Sequence, residues 1–499
     1  MHGRRLRRGV GPAPPDPFPT VGHPATAALK GIAVSSVTPS VTSDSPSLTS
    51  RQRTGDTADL VEEAIRRSRR AYDAVDGELG IFVTPLHDQA LRAHRDDPRD
   101  GPLAGVTLGV KDVVFESSAP STAQSNIALA EWPKGQPEAT AVSRLKRAGA
   151  VVVGKTATME YALGVQDGTG PGPVSRNPWD TDRWAGGSSS GSGSGVLTEC
   201  FDAAIATDTT GSLRIPAAYT GTTGLKATRG RVPTTGIYPL APSLDAIGPI
   251  AGSVDLCARL LQVMAGPDPH GDPFTSGVPA GDYVAALQAD VAGLRIGVDT
   301  LQAHADAGVD RAQPTVFAQA LKDLDGLGVH RSVVEVPSYP LLNVVGNVIM
   351  LAEAHEIHHD SLVRNWAGYG RGARWVFSAG ESITSRDYLR AQRIRDDLTR
   401  QVQTLFENFD LLIHPTCHLG APALDRMHPL DPSTYLGSMH TTAWSVTGHP
   451  VAVVPIGFTD DGLPLSMSIV GPHWREDLVI SVASAFQRLT DHHRQRPAL

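Results

Sequence analysis

The sequence predicts an α/β fold in which a central mixed β-sheet is covered by helices on both faces. Valine-rich segments of strand length alternate with amphipathic helical patterns, as in "EATAVSRLKRAGAVVVGKT" at residues 138–156. This alternation is typical of α/β proteins with much parallel strand pairing. The chain has 499 residues, of which 40% are hydrophobic, so it is long enough to bury a large core.

Periodicity locates the first elements of this fold. Apolar residues recur on one face of a predicted helix at 56–75. A strand is expected to end near Lys111, and the next helix to stop at Gly149 before a strand at 150–153. These segments supply the first strands of the predicted sheet and the first helices that cover it.

The second half of the chain differs in composition from the first. Residues 275–410 are rich in histidine, arginine and helical patterns, and we expect a mainly helical layer there that covers the substrate. Strands return in "DLLIHP", "PVAVVPIGF" and "LPLSMSIVGP", followed by a helix from about Glu476. Residues 1–53 carry arginines and prolines but no apolar core, which predicts a disordered tail rather than an export signal. Residues 54–495 are expected to form a single domain.

Composition and charge narrow the class of partner. The formal net charge of -8 is mild for this length. The sequence contains no basic stripe with interleaved aromatic residues, so it does not predict nucleic-acid binding. Apolar runs fall short of the roughly 18 to 20 residues that a membrane span needs. Cys200, Cys257 and Cys417 are too far apart for a disulfide framework. We therefore expect a cytoplasmic protein that acts on a small molecule.

Two segments match nucleotide and metal motifs. "GAVVVGKT" at 149–156 fits the phosphate-loop pattern GxxxxGK[ST], but a predicted helix precedes it and three valines fill the supposed loop, so a helix-to-strand turn is expected. "HEIHH" at 355–359 fits HExxH, in which His355 and His359 would bind zinc and Glu356 would act as base. Since no third ligand stands out at a fitting sequence distance, we expect a partly solvated helix face and no metal.

Two further segments match motifs of serine enzymes. "SRLK" at 143–146 fits SxxK, but its SDN and KTG partners are missing from the sequence, so a segment of amphipathic helix is expected. "GSSSG" at 187–191 fits a nucleophile elbow centred on Ser189. An elbow requires a strand directly before it, whereas "NPWDTDRWAG" is typical of a loop. The surrounding "WAGGSSSGSGSG" has the composition of a flexible linker, yet the apolar pattern continues beyond Gly195.

Three other segments occur in combination, namely "GVKD" with Lys111, "GGSSSGS" with Ser188 and "TDTTGSLRIPAA" with Ser212. Together with "GKTATMEYALG", "PSLDAIGP", "YLRAQRIR" and "TGHPVAVVPIGF", they resemble the amidase signature family of serine hydrolases in their order. The resemblance extends from the helix at 56 to the end of the chain. It implies the amidase-signature fold, chemistry without a cofactor or metal, and a monomer or homodimer.

The resemblance implies a Ser-Ser-Lys triad with Ser212 as nucleophile, Ser188 as bridging serine and Lys111 as base, and a cis peptide bond between Gly187 and Ser188. Elementary chemistry agrees, because a serine hydroxyl is a weak nucleophile without a base in contact with it. A lysine in water is protonated at neutral pH, so Lys111 must be buried to be present as the neutral amine. We therefore expect the Ser/Gly segment to be an ordered and buried part of the site.

Further roles follow from the same resemblance. Backbone N–H groups of Thr209, Thr210, Gly211 and Ser212 would bind the developing oxyanion. Asp208 and Arg214 are expected to support the nucleophile loop as an ion pair. Ser190 and Thr210 stand where the family commonly has glycine, and the Thr210 side chain is expected to narrow or reshape the oxyanion cradle. The substrate pocket is expected to include Met159, Tyr161, Ile215, Ile237, Tyr238 and Trp444.

The predicted function is hydrolysis of the C–N bond of a carboxamide, aryl amide or carbamate through an acyl-enzyme. One alternative is the glutaminase subunit of a tRNA-dependent amidotransferase, in which we would expect glutamine after the arginine of the nucleophile loop, where this chain has Ile215. Another is a catalytically silent binding protein on the same fold. The presence of Lys111, Ser188 and Ser212 together argues against a silent protein.

Overall fold

The computed structural model describes residues 57–127, 137–166, 168–428 and 431–498. The chain divides into two units, Met1–Thr54 and Gly55–Leu499, and every described residue lies in the second. The predicted tail at 1–53 lies outside the described residues. None of the helices in the described part of the chain is long and apolar enough to cross a lipid bilayer.

Thirteen strands and fourteen α-helices are found in these residues. The strands are β1 (Phe82–Pro85), β2 (Thr107–Lys111), β3 (Val151–Thr156), β4 (Arg176–Asn177), β5 (Asp180–Trp184), β6 (Ala203–Asp208), β7 (Thr223–Lys226), β8 (Ala246–Ala251), β9 (Arg295–Val298), β10 (His330–Val333), β11 (Leu411–Pro415), β12 (Val451–Phe458) and β13 (Pro464–Val470). The helices are α1 (Thr57–Leu79), α2 (His87–Asp96), α3 (Thr140–Arg147), α4 (Ser190–Leu197), α5 (Arg214–Thr220), α6 (Val254–Met264), α7 (Tyr283–Ala286), α8 (Gln313–Asp325), α9 (Tyr339–Asn365), α10 (Arg371–Ala379), α11 (Ser385–Leu405), α12 (Ser433–Leu436), α13 (Thr442–Val446) and α14 (Glu476–Leu489).

Eleven of the strands form one mixed sheet in the order β1-β3-β2-β6-β8-β7-β12-β13-β11-β9-β10. Strand β2 is parallel to β3 and β6, and β9 is parallel to β10 and β11. The strands between these two groups pair antiparallel. The mixed sheet is therefore confirmed, but its centre is antiparallel, since a short connection such as that between β12 and β13 returns the chain in the opposite direction.

Side chains alternate between two apolar cores along the central strands, as expected for a sheet covered on both faces. On β6, Ala203 and Ile205 belong to one core, whereas Ala204 and Ala206 belong to the other. The first core is closed by helices α3, α6, α8 and α14, and the second by α4, α5, α9, α11 and α13. The predicted coverage of both sheet faces by helices is therefore confirmed.

The structure adds strands to one segment predicted as helical and differs from the prediction in another segment. Residues 275–410 are mainly helical, and they also contain β9 and β10, which extend the main sheet at one edge. Strand β9 is only four residues long, too short for a clear period-two pattern. The segment "NPWDTDRWAG" is not a loop, because β4 and β5 form a separate two-stranded sheet there.

The Ser/Gly segment is a buried element, as predicted. Every residue from 185 to 197 is buried, and residues 190–197 form helix α4. Its small residues permit close packing: a Cβ on Gly191 would lie 2.2 Å from the carbonyl oxygen of Ile81. The segment therefore packs against its neighbours too closely to act as a linker.

Candidate active site

Lys111 is the last residue of β2, in the middle of the parallel group of strands. Its side chain is completely buried. The Nζ atom lies 2.7 Å from Ser188 Oγ and 2.7 Å from Thr207 Oγ1 on the neighbouring strand β6. The end of β2 therefore holds the amine in contact with two hydroxyl groups.

Burial changes the proton affinity of this amine. Desolvation lowers the pKa of Lys111 to about 7, although the negative charges of Asp208 and Asp245 act in the opposite direction. With a pKa in this range, the neutral amine is a populated form of Lys111 at neutral pH. The group can therefore accept a proton under conditions in which an exposed lysine cannot.

Ser188 follows a cis peptide bond to Gly187, as the family resemblance implied. Its side chain is 1% exposed, and its carbonyl oxygen accepts a hydrogen bond of 3.1 Å from the Met159 amide. The next residue in the chain, Ser189, donates its amide to the Ser212 carbonyl oxygen at 3.2 Å. A backbone hydrogen bond thus joins the segment of Ser188 to the segment of Ser212.

Ser212 lies in the turn that connects β6 to α5, at the edge where β2 also ends. It is buried with 8% of its surface exposed. Gly211 before it has φ +146°, a conformation that favours glycine. Within the described residues, the backbone N–H groups of Thr210, Gly211 and Ser212 donate to no protein acceptor. The turn therefore presents several backbone donors beside a serine hydroxyl.

Asp208 and Arg214 anchor the two ends of this turn. The guanidinium contacts both carboxylate oxygens at 2.8 Å, and both side chains are fully buried. Burial alone would raise the pKa of Asp208, but the charges of Arg214 and Lys226, together with the hydrogen bonds from Arg214 and the Leu213 amide, outweigh burial and the pKa lies below its ordinary value. Arg214 also donates to the Thr441 carbonyl and the Ser445 hydroxyl, each at 2.7 Å. Its guanidinium is thus engaged by protein groups.

Several residues around the turn were not assigned a role from the sequence. Thr209 Oγ1 donates to Asp245 Oδ1 at 2.6 Å, and Thr441 Oγ1 donates to the Thr210 carbonyl oxygen at 2.7 Å. Thr210 Oγ1 lies 3.7 Å from the sulfur of Met350 on α9. Asp245 belongs to "PSLDAIGP", one of the segments that carry the family resemblance. For Thr441 and Met350, no local sequence signal marks the contact.

The residues expected to line the pocket fall into separate groups. Met159 and Ile215 lie in one small apolar cluster, while the rings of Tyr161 and Tyr238 are 4.7 Å apart in the first core, with Ile237 packed against that core. Trp444 is fully buried in the second core, where its indole donates to His414 at 2.7 Å. The apolar clusters therefore group Met159 with Ile215 and place the other four residues in the two larger cores.

The phosphate-loop and elbow motifs serve structural purposes. Lys155 is a fully buried residue of β3 that donates to the Val114 carbonyl and to Ser121, and residues 143–146 lie within α3. Ser189 is fully buried, and its hydroxyl donates to the Thr207 carbonyl oxygen at 3.4 Å. The HExxH residues lie on α9 as expected, in surroundings described below.

Comparison with known proteins identifies one family and several relatives. The family model described as Amidase matches residues 59–480. A glutamyl-tRNA(Gln) amidotransferase subunit from Roseiflexus castenholzii is 36% identical over 458 residues, which cover 87% of this chain and 91% of that protein. The putative amidase AmiD of Mycobacterium bovis is 34% identical over 457 residues, which cover 90% and 94% of the two chains.

Solved structures include similar folds. The structure of 6-aminohexanoate cyclic dimer hydrolase complexed with substrate has a TM-score of 0.77 and 26% sequence identity, and the match covers 90% of this chain and 96% of that chain. The match extends over nearly the whole described part of the chain, so the similarity is one of complete folds.

Proposed function

This chain belongs to the amidase signature family of hydrolases, and on that premise we propose that it hydrolyses the C–N bond of a carboxamide, aryl amide or carbamate through a Ser212-Ser188-Lys111 triad. The observation that carries the proposal is the fully buried Lys111 amine, 2.7 Å from the Ser188 hydroxyl. A proton relay requires a buried amine with a lowered pKa in contact with the hydroxyl group that it deprotonates.

The proposed first half-reaction is an acyl transfer to Ser212. The neutral Lys111 amine takes a proton from Ser188 Oγ, and Ser188 takes one from Ser212 Oγ as that oxygen bonds to the substrate carbonyl carbon. The tetrahedral intermediate collapses when its C–N bond breaks. The leaving amine receives a proton from Ser188, and protonated Lys111 then returns a proton to Ser188. The products of this step are a free amine and an ester on Ser212.

The second half-reaction reverses these roles with water as the nucleophile. Water loses a proton through Ser188 to Lys111 as it attacks the ester carbonyl, and Ser212 leaves with that proton. In both steps, we expect the backbone N–H groups of Thr209, Thr210, Gly211 and Ser212 to stabilise the oxyanion. Each such donor is worth about 3–4 kcal/mol in known sites.

The surroundings of the serines favour a substrate with an apolar portion. Ile215 donates its amide to the Gly211 carbonyl oxygen at 2.7 Å, and the Met159 amide contacts Ser188. Both side chains belong to the apolar cluster, whose other members include Trp184, Tyr219, Tyr435 and Met439. An aryl or alkyl group in contact with this cluster would be removed from water, which stabilises binding.

The glutaminase function remains an alternative because one of the relatives above is an amidotransferase subunit. The side chain of free glutamine ends in a polar amide and its other end carries two charges. The Ile215 side chain offers no donor or acceptor to these groups, and burying them unpaired against it would cost several kcal/mol. The apolar cluster therefore favours an amidase over a glutaminase.

A substrate panel distinguishes these functions. Purified wild-type protein and the Ser212→Ala variant are incubated with anilides, aliphatic amides, aryl carbamates and L-glutamine, and amine or ammonia release is measured. We expect wild type to hydrolyse at least the anilides or carbamates, and Ser212→Ala to lose about 10⁴-fold or more of that activity. Hydrolysis of glutamine alone would support the glutaminase. Equal activity of the two proteins would contradict the proposed nucleophile.

A further inference from the structure

The HExxH segment has a third potential ligand that lies outside the motif. Within the described residues, His355, His359 and Glu381 form a group whose ligand atoms all lie within 4.8 Å of one another. His355 and His359 are one turn apart on α9, with ring centroids 5.5 Å apart. Glu381 lies in the turn between α10 and α11. Two imidazoles and a carboxylate are a ligand set that zinc accepts.

Both ring nitrogens of His355 have a polar neighbour that fixes the orientation of the imidazole. Nδ1 lies 2.9 Å from the Phe377 carbonyl oxygen, which can only accept, so Nδ1 is the donor in this contact. Nε2 lies 2.7 Å from Glu381 Oε2. The ring therefore directs Nε2 toward the carboxylate, which is the third member of the group.

This arrangement is also the one in which a histidine is oriented to bind metal. Ligating histidines generally donate their other N–H to a backbone carbonyl or a carboxylate, which fixes the ring and the tautomer. Phe377 provides such a carbonyl for His355, and Asp360 Oδ1 lies 3.1 Å from Nδ1 of His359. In both rings, Nε2 is the nitrogen that remains for coordination.

The fold holds the turn of Glu381 against α9. Gly380 precedes Glu381, and a Cβ at this position would lie 2.3 Å from the Leu351 carbonyl oxygen and 2.4 Å from His355 Cβ. Only a residue without a side chain permits this approach. The carboxylate of Glu381 is thus brought to the imidazole of His355 by backbone packing, independently of the ion pair itself.

We propose that His355, His359 and Glu381 bind a divalent transition-metal ion of the Zn²⁺ type, with water completing the coordination. At zinc–ligand distances of about 2.1 Å, two ligand atoms of a tetrahedral site are about 3.4 Å apart. Glu381, whose side chain is 72% exposed, has room to move to that distance. The ion would fasten the turn to α9, the helix whose Met350 contacts Thr210 of the nucleophile turn. The site is separate from the triad and does not depend on the proposed reaction.

Isothermal titration of the metal-stripped full-length chain with Zn²⁺ tests this site. The variants are His359→Ala and Glu381→Gln, whose wild-type side chains are exposed and whose replacement leaves the core unchanged. His330→Ala is the matched control, because His330 is an exposed histidine on β10. Circular dichroism verifies that each variant is folded, and the visible absorption of Co²⁺ bound to wild type reports nitrogen and oxygen coordination.

Wild type and His330→Ala are expected to bind one Zn²⁺ with the same affinity. Each ligand variant is expected to bind at least 10-fold more weakly, since even changes behind the ligands reduce affinity 10- to 100-fold. Zn²⁺ should also raise the melting temperature of wild type and not that of His359→Ala. The site would be refuted if wild type bound no Zn²⁺ up to millimolar concentration, or if the ligand variants bound it as tightly as wild type.

Discussion

At the scale of single residues, the environment of Lys111 is the feature on which the proposed chemistry depends. An amine that is completely buried and touches only hydroxyl groups has lost hydration without gaining a carboxylate partner in direct contact. Desolvation accordingly lowers the pKa of Lys111 to about 7. The base of the proposed relay is thereby available at neutral pH, a task that histidine performs in other serine hydrolases.

The pH dependence of hydrolysis should report this group. Since Lys111 acts in its neutral form, kcat/KM should be low below its pKa and level off above it, with an inflection near pH 7. Below the inflection, the rate constant should fall about tenfold per pH unit. Steady-state kinetics on one anilide between about pH 5 and 9 measures the profile. Lys111→Ala should have lower activity and lack this inflection, and the same inflection in both proteins would assign it to another group.

The ion pair between Asp208 and Arg214 should be a major determinant of stability. Removing one partner of a fully buried pair leaves an uncompensated charge, so Asp208→Ala should destabilise the protein by about 3–5 kcal/mol in urea unfolding. The exposed pair of Asp255 and Arg259 is the matched control, and Asp255→Ala should cost less than about 1 kcal/mol. Similar losses in the two variants would show that Asp208 does not hold the turn.

The candidate residues that could be predicted were those that lie within a short, recognisable segment of the sequence. Lys111, Ser188 and Ser212 stand in recognisable segments, and the structure places Lys111 in contact with Ser188. Thr441 and Met350 approach the nucleophile turn only through tertiary packing, more than 100 residues away in sequence. Glu381 is 22 residues beyond His359 on another element, so no spacing rule within the helix could have predicted it.

At the scale of elements, the Ser/Gly segment shows how composition can mislead. Glycine and serine are typical of flexible linkers, yet residues 190–197 form the buried helix α4. The packing of α4 against the carbonyl of Ile81 and the amide of Ala157 leaves no space for side chains at Gly191. Small residues here permit contact between helix and backbone, at the cost of low intrinsic helix propensity.

Alanine substitutions in two helices test this interpretation. Gly191→Ala places a Cβ 2.2 Å from a carbonyl oxygen, so it should lower stability by about 1–3 kcal/mol and reduce hydrolysis by displacing Ser188. Gly77 is an exposed residue of α1 with no atom within 4 Å of a built Cβ. Gly77→Ala should leave hydrolysis unchanged and stabilise the protein by about 0.5–1 kcal/mol. Thermal unfolding and the anilide assay compare the two variants with wild type. Full activity and full stability of Gly191→Ala would contradict the close packing of α4.

Elements with a buried apolar face were predicted from the sequence, whereas exposed and charged ones were not. The helix expected at 56–75 and the strand expected to end near Lys111 agree with α1 and β2, since α1 has an apolar face and every residue of β2 is buried. Strand β10 is exposed along its length, and β5 contains three charged residues. Both strands are defined by pairing with a neighbouring strand and not by a hydrophobic pattern. The sequence alone therefore did not indicate them.

At the scale of the whole molecule, the mixed sheet joins the segments that carry the chemistry. Strands β2 and β6 are parallel neighbours, so Lys111 at the end of β2 and the nucleophile turn after β6 meet at one edge. Helix α4 brings Ser188 to the same edge, where Ser189 binds the Ser212 carbonyl. Catalytic groups that follow parallel strands commonly gather in this way in α/β proteins.

The mixed character of the sheet could be predicted from alternating strands and helices, but its strand order could not. Eleven strands permit many arrangements, and the chain crosses between distant positions, as from β8 in the middle to β9 near one edge. Such contacts depend on tertiary packing rather than on local preference. The residues that line the proposed substrate pocket were difficult to predict for the same reason. Met159 and Ile215 meet in one apolar cluster, whereas Trp444 lies in another core.

Ser212 is proposed to form a covalent acyl intermediate, which intact-mass spectrometry of the quenched reaction detects. Wild type, Ser212→Ala and Ser189→Ala are mixed with an activated aryl ester or anilide, and the reactions are stopped in acid. We expect an added acyl mass on wild type and Ser189→Ala, located on the peptide that contains Ser212, and none on Ser212→Ala. An acyl adduct on Ser212→Ala, or undiminished turnover by that variant, would contradict this proposal.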